Sequence, residues 1–323
     1  MKKAKLIWLI VGISLVLLGA LVAGGALMTL KWDFSSLGTV KYETNTHEIT
    51  DEFSSISVKA FTGDIKILPS DDGSCKVVCH EQRKLNHTVQ IKDGTLFIEE
   101  VDSRKWYETV GIMISSENTT VTVYLPKSEY VSMYVKLSTG DVFVSKDFNF
   151  ESIEIQSTTG DILCEASANS SIKLSASTGH ITLKDVSATQ ISMSVTTGDL
   201  TASGISCAED FTAVSTSGDK IFTNVVCKNL TASSDTGDFT LNNVIASEKF
   251  DIKATTGDVT LERCDAAEIN IKTTTGDVSG TLLSDKSFFT QTDTGDVSVP
   301  RTTGGACNVN TDTGDIEFSI LTQ

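Results

Sequence analysis

The sequence predicts an all-β fold, a parallel β-helix or β-solenoid with coils of 19 or 20 residues, preceded by one N-terminal transmembrane helix. Three observations predict it. A Thr/Ser-Gly-Asp tripeptide recurs at near-constant spacing, apolar and polar residues alternate on both sides of it, and the chain opens on a long uncharged segment.

The opening segment comes first. Lys2, Lys3 and Lys5 precede an uncharged stretch from Leu6 to Leu30, which Lys31 closes. A helix of this length rises ~37 Å, enough to cross a hydrocarbon layer of ~30 Å with some tilt. Secretory signal cores are shorter, ~7–15 residues, and end in small residues. Ala23-Gly24-Gly25-Ala26 offers such an ending, so cleavage stays open beside retention. The lysine flank places the N-terminus in the cytoplasm and the residues after Lys31 outside. Residues 1–31 are therefore read as a cytoplasmic tip and signal anchor in the cell membrane, and 32–50 as a linker.

Residues 51–137 are strand-rich but irregular. Runs such as Ile56–Ile67, Lys76–His80, Val89–Ile91, Leu96–Val101, Ile112–Ile114 and Val121–Leu125 alternate apolar and polar residues. Pro69-Ser70-Asp71-Asp72-Gly73 and Asp93-Gly94 punctuate them as turns. Thr62-Gly63-Asp64 is an early copy of the later motif, so this region reads as opening coils that cap the core.

Residues 138–323 are regular. The motif glycines fall at Gly140, Gly160, Gly179, Gly198, Gly218, Gly237, Gly257, Gly276, Gly295 and Gly314, each 19 or 20 residues apart. Two places after the glycine stand Val142, Ile162, Ile181, Leu200, Phe239, Val259, Val278, Val297 and Ile316, with Lys220 the one breach. Seven before it stand Met133, Ile153, Ile172, Ile191, Phe211, Leu230, Phe250, Ile269, Phe288 and Cys307. Alternation with period two on each side of a fixed turn means strands. A lone coil cannot bury its apolar face; stacked coils share a core and ladder hydrogen bonds, which is solenoid logic. Coils stacked in chain order advance ~4.8 Å each, and parallel crossovers favour a right-handed winding.

The aspartates after the glycines form a predicted column: Asp141, Asp161, Asp199, Asp219, Asp238, Asp258, Asp277, Asp296 and Asp315, with His180 in the one gap. Two carboxylates ~5 Å apart repel by ~3 kcal/mol at an effective dielectric of ~20, so the column must be solvated, hydrogen-bonded or bridged by cations. The favoured role is structural: Gly supplies positive φ and Asp accepts turn amides. Calcium bridging is the competing role. Cys207 and Cys227 occupy equivalent places where Ala188, Ala246 and Ala266 stand in other coils, either a small-residue slot or a disulfide. Cys-x-x-Cys is absent and His47, His80, His87 and His180 are scattered, so no zinc site or other cofactor is expected.

The net charge of −16 repels phosphate backbones and excludes nucleic acid as a partner. Uniform coils leave no length for a catalytic cleft, and nucleophile-elbow, Walker and His-Glu-x-x-His motifs are missing. Catalysis is not expected. After Tyr134 the chain holds no Trp or Tyr, and Phe289 is an outward exception among the phenylalanines. Arg104-Lys105-Trp106-Tyr107 is either a contact loop or a cover for the core edge.

The repeated Thr-Gly-Asp units, Val121-Thr122-Val123-Tyr124-Leu125-Pro126-Lys127 followed by Val135-Lys136-Leu137-Ser138-Thr139-Gly140-Asp141, and the N-terminal segment resemble a bacterial β-strand-repeat adhesin family, domain of unknown function 4097 (LiaG-like). The resemblance covers residues 50–320 and implies a cell-envelope protein, with no catalytic residues to carry over. The seven cysteines depart from it. The function expected is a non-enzymatic, membrane-anchored surface module that meets a protein or glycan. The alternatives are an accessory or sensor of an envelope-stress system and, more weakly, a polysaccharide-active enzyme.

Overall fold

The computed structural model describes residues 2–29, 41–105 and 117–321. The chain divides into two compact units. The first takes residues 1–42 and 104–118, and its described part is chiefly helix α1 (Lys2–Thr29). This helix is apolar on every side rather than along one stripe. Its longest unbroken run of described side chains is 10–22; among the described residues no helix is long and apolar enough to cross a membrane.

The second unit, residues 43–103 and 119–323, is a solenoid. Between residues 129 and 282 successive segments pair in parallel, with equivalent residues side by side. Ile153 pairs with Met133 and Ile172, and Leu200 with Ile181 and Lys220. The fold class expected from the alternation is therefore present. Its inward columns make one continuous core that includes Phe150, Phe211, Phe222, Phe239 and Phe250, all without measurable exposure. Each such side chain contributes about 1.5–3 kcal/mol on burial. Phe211 and Phe222 meet edge to face at 5.2 Å, tying two walls of the core together.

The two ends are not wound in chain order. At the start lie β1 (Tyr42–Ile49), β2 (Ser55–Thr62), β3 (Asp64–Pro69), β4 (Cys75–Gln82), β5 (Leu85–Lys92), β6 (Thr95–Asp102), β7 (Thr120–Leu125), β8 (Glu129–Thr139) and β9 (Val142–Val144). The β2–β3 coil, which holds Gly63, pairs with β6 and β7 on one side and with β8 and β9 on the other. Strands β4 and β5 then run antiparallel to β7 and β6 and cover the end of the sheet. Strand β1 pairs with β4, so part of the 32–50 stretch read as a linker is strand; its alternating burial is the reason. The run Ile112–Ile114 lies outside the described residues.

The far end departs from simple stacking in the same way. Strand Glu268–Lys272 pairs with Gly305–Thr313, not with Lys286–Thr294, which lies beyond it. The Gly314 coil is thus inserted between the Gly276 and Gly295 coils. Two local features account for this. Pro300 has no amide with which to continue the ladder after Val299, so the chain leaves the sheet there. Gly280 leaves an inward place without a side chain, and a Cβ there would meet Leu261 Cβ of the preceding coil at 2.8 Å and the ring of Phe318, which belongs to the inserted coil, at 3.2 Å.

Candidate functional site

The Thr-Gly-Asp turns are built by their glycines. Gly160 has φ +129°, and a Cβ on it would land inside the carbonyl of Gly140 in the neighbouring coil. Only glycine meets both conditions. This close stacking brings each aspartate over the next turn. Asp161 donates its amide to Asp141 Oδ1 at 2.8 Å, Asp219 to Asp199 at 2.8 Å, Asp238 to Asp219 at 2.9 Å, and Asp258 to Asp238 at 2.9 Å. Each carboxylate thus accepts from the coil beside it, and this offsets part of the repulsion along the column. His180 takes the same place: its amide donates to Asp161 Oδ1 at 2.7 Å, and its Nδ1 accepts the Asp199 amide at 3.1 Å.

A second column of bends lies six residues after the glycine in five coils. Asp185, Gly204, Asn224, Asn243 and Arg263 all have φ between +53° and +65°. Four of the five are residue types that adopt this region readily. Asn243 Nδ2 also donates to Asn224 Oδ1 at 2.7 Å. The sequence carried this signal, but it spans only the middle coils.

All seven cysteines are free thiols and buried. The register Ser206↔Val226 sets Cys207 next to Cys227, in line with Ala188 and Ala246, and the sulfurs are not joined. Burial pushes the Cys227 and Cys164 thiols up to about 12, which makes them poor nucleophiles. Of the Arg104-Lys105-Trp106-Tyr107 loop, Trp106 and Tyr107 lie outside the described residues; Arg104 is half-buried and Lys105 exposed.

The exchanged coils create a surface that the periodicity did not reveal. Across the outer face, Asp251 pairs with Asn270, Asn270 with Asn308, and Asn308 with Phe289. A parallel row carries Lys253, Lys272, Asn310 and Gln291. Together they line an open groove of about 730 Å³. Asn308 Nδ2 donates to Asn270 Oδ1 at 2.7 Å, and the Phe289 ring at the rim is 62 % exposed. Among the described residues Asp251 is the one carboxylate lining the groove, and Lys249 and Lys253 hold it at 3.4 and 3.3 Å. The groove offers an aromatic face, amide donors and acceptors, and lysines.

These features define a parallel β-solenoid whose repeated acidic turns stack on one another and whose polar groove lies on an outer sheet face. The chain belongs to the DUF4097 (Toastrack) family, whose model matches residues 53–282 and 223–322. No curated relative matches it. Among solved structures it is similar to a "putative adhesin" from Bacteroides fragilis, at 17% identity and TM-score 0.41, over 86% of this chain and 97% of that one. It is similar also to a "putative adhesin" from Parabacteroides merdae, at 12% identity and TM-score 0.46, over 87% and 98%. A third is a "putative lipid binding protein" from Parabacteroides distasonis, at 12% identity and TM-score 0.45, over 87% and 98%.

Proposed function

We propose that the chain is a non-enzymatic, adhesin-type interaction module at the bacterial cell surface, held to the membrane by its N-terminal segment, and that it grips a glycan in the Phe289 groove. The observation that carries this reading is the exposed Phe289 ring beside the Asn308–Asn270 amide row. A sugar ring presents an apolar face that stacks on an aromatic and hydroxyls that pair with amides. Lys272 adds an ammonium donor for sugar hydroxyls in the same groove. Glycoside hydrolysis needs two carboxylates flanking the bond, whereas this groove has one, already engaged by lysines.

The anchor rests on the uncharged stretch Leu6–Leu30 flanked by lysines. The full chain is expected to resist alkaline extraction from membranes, and a chain lacking residues 2–29 to be released. On a glycan panel the full chain should retain at least one polysaccharide, and Phe289→Ala or Asn308→Ala should weaken that retention tenfold or more. Retention of no glycan, or full retention by Phe289→Ala, would remove the reading.

A further inference from the structure

The N-terminal cap gathers three donor side chains that lie far from the groove. Strand β4 turns Cys75, Val77, Cys79 and Glu81 inward on one face, and β5, joined to it by a tight hairpin, turns His87 inward beside them. Cys79, Glu81 and His87 are all buried, and the Cys79 sulfur, a Glu81 oxygen and a ring nitrogen of His87 lie within 4.8 Å of one another. Sequence spacing did not suggest this, because the scattered histidines hid a hairpin that folds His87 back onto β4.

The trio is not explained by its own hydrogen bonds. Glu81 is well supplied: Asn45 Nδ2 donates to its Oε1 at 2.7 Å, and the His87 amide donates to its Oε2 at 2.6 Å. His87 Nδ1 lies 2.7 Å from the same Oε2. His87 Nε2, in a side chain 2 % exposed, has no hydrogen-bond partner among the described residues. Glu100, paired with His87 across the ladder, is already committed to the Phe61 and Thr62 amides. An imidazole nitrogen buried without a partner is unfavourable, so the ring marks a place the protein alone leaves incomplete. Thiolate, imidazole and carboxylate at this separation form the mixed S, N, O donor set that suits a borderline-soft divalent ion.

We infer that Cys79, Glu81 and His87 form a binding site for a zinc-class divalent transition metal, with one coordination position open. Asn45 and the His87 amide act as the outer groups that orient the Glu81 carboxylate. On binding, the Cys79 S–H bond breaks, a sulfur–metal bond forms, and the proton leaves to solvent.

The test is titration of the reduced full chain with cobalt(II), followed by displacement with zinc. One equivalent of cobalt should bind with a thiolate-to-metal charge-transfer band, and zinc should abolish the band. Cys79→Ser should lose the band and His87→Gln should weaken binding at least tenfold, each with an unchanged β-sheet circular dichroism spectrum. Two variants are used because one of them failing to fold would leave the other to be read, and the wild-type titration stands alone. Absence of the band in the wild type, or its survival in folded Cys79→Ser, overturns the site.

Discussion

The amide of Asp315 donates to Asp277 Oδ1 at 2.8 Å although 38 residues separate the two. Asp296, the next motif aspartate after Asp277 in the chain, donates instead to Asp315 Oδ1 at 2.8 Å. The ladder of turns therefore reads 277, 315, 296, and the last coil of the chain is an inner coil of the stack. Lys286 secures the arrangement. Its ammonium lies 2.6 Å from Asp265 Oδ1 and 2.7 Å from the Ala266 carbonyl, and it reaches them beside Gly305.

This order predicts which cysteine pairs can join. Adjacent parallel strands lie ~4.8 Å apart, within the Cα range of about 4.4–6.8 Å that a disulfide accepts, whereas strands two places apart lie ~9.6 Å apart. Asn270→Cys with Asn308→Cys should therefore oxidise to a disulfide, read by mass spectrometry of non-reduced peptides. Asn270→Cys with Phe289→Cys should not. Winding in chain order would reverse the two results.

The motif glycines separate a steric demand from a conformational one. Gly218 has φ +129°, and an added Cβ would enter the carbonyl of Gly198. Gly73 has φ +74° but opens onto free space. Gly218→Ala should cost about 3–5 kcal/mol, combining backbone strain with overpacking, while Gly73→Ala should cost ~1 kcal/mol. Urea midpoints of the two variants decide it. Equal losses would show that stacking closeness is not what selects glycine in the turns.

Much of this fold was legible because stacking repeats one local rule at every coil. Val142, Ile162 and Ile181 had to share a column once Gly140, Gly160 and Gly179 shared one. The exchange of the last coils was not legible, since Pro300 and Gly280 act through the neighbours they refuse, and a period read along the chain contains no neighbours. The same blindness hid the Phe289 groove, whose rows join residues from four segments, and the Cys79–Glu81–His87 trio, which depends on antiparallel strands outside the repeat.

The aspartate column should respond to charge and to hydrogen bonding in opposite directions. Asp219 Oδ1 accepts the Asp238 amide at 2.9 Å. Asp219→Asn keeps an acceptor and removes a charge from the column, so stability should hold or rise by up to ~1 kcal/mol. Asp219→Ala removes the acceptor and should cost about 0.5–1.5 kcal/mol. Because one oxygen of each such carboxylate is already taken, adding calcium or chelator should leave the melting midpoint unchanged. A calcium-dependent rise that Asp219→Asn reduces would restore the bridging role.

Lys220 carries the remaining prediction. It occupies the inward place that Leu200 and Phe239 fill in adjacent coils, and it has no exposed surface. Its ammonium is satisfied by the Gly218 carbonyl at 2.9 Å and by Ser215 Oγ, and it lies 4.8 Å from the centre of the Phe239 ring. Burial lowers its pKa from 10.5 to about 8, against the pull of Asp219, Asp199 and Asp235. Below pH ~8 the folded and unfolded chains both hold the proton, so the penalty is constant; between about 8 and 10.5 the unfolded chain holds more protons, and stability rises with pH. The whole gain is at most about 3 kcal/mol, at 1.36 kcal/mol per pKa unit. Lys220→Met should stabilise the protein at pH 7 by about 1–3 kcal/mol, as apolar replacements of buried charges commonly do, and should flatten that rise. Denaturant midpoints across the alkaline range, with exposed Lys136→Met as the control, read both effects. A Lys220→Met chain that is less stable at pH 7 and keeps the alkaline rise would mean that the buried ammonium holds the coils together rather than straining them.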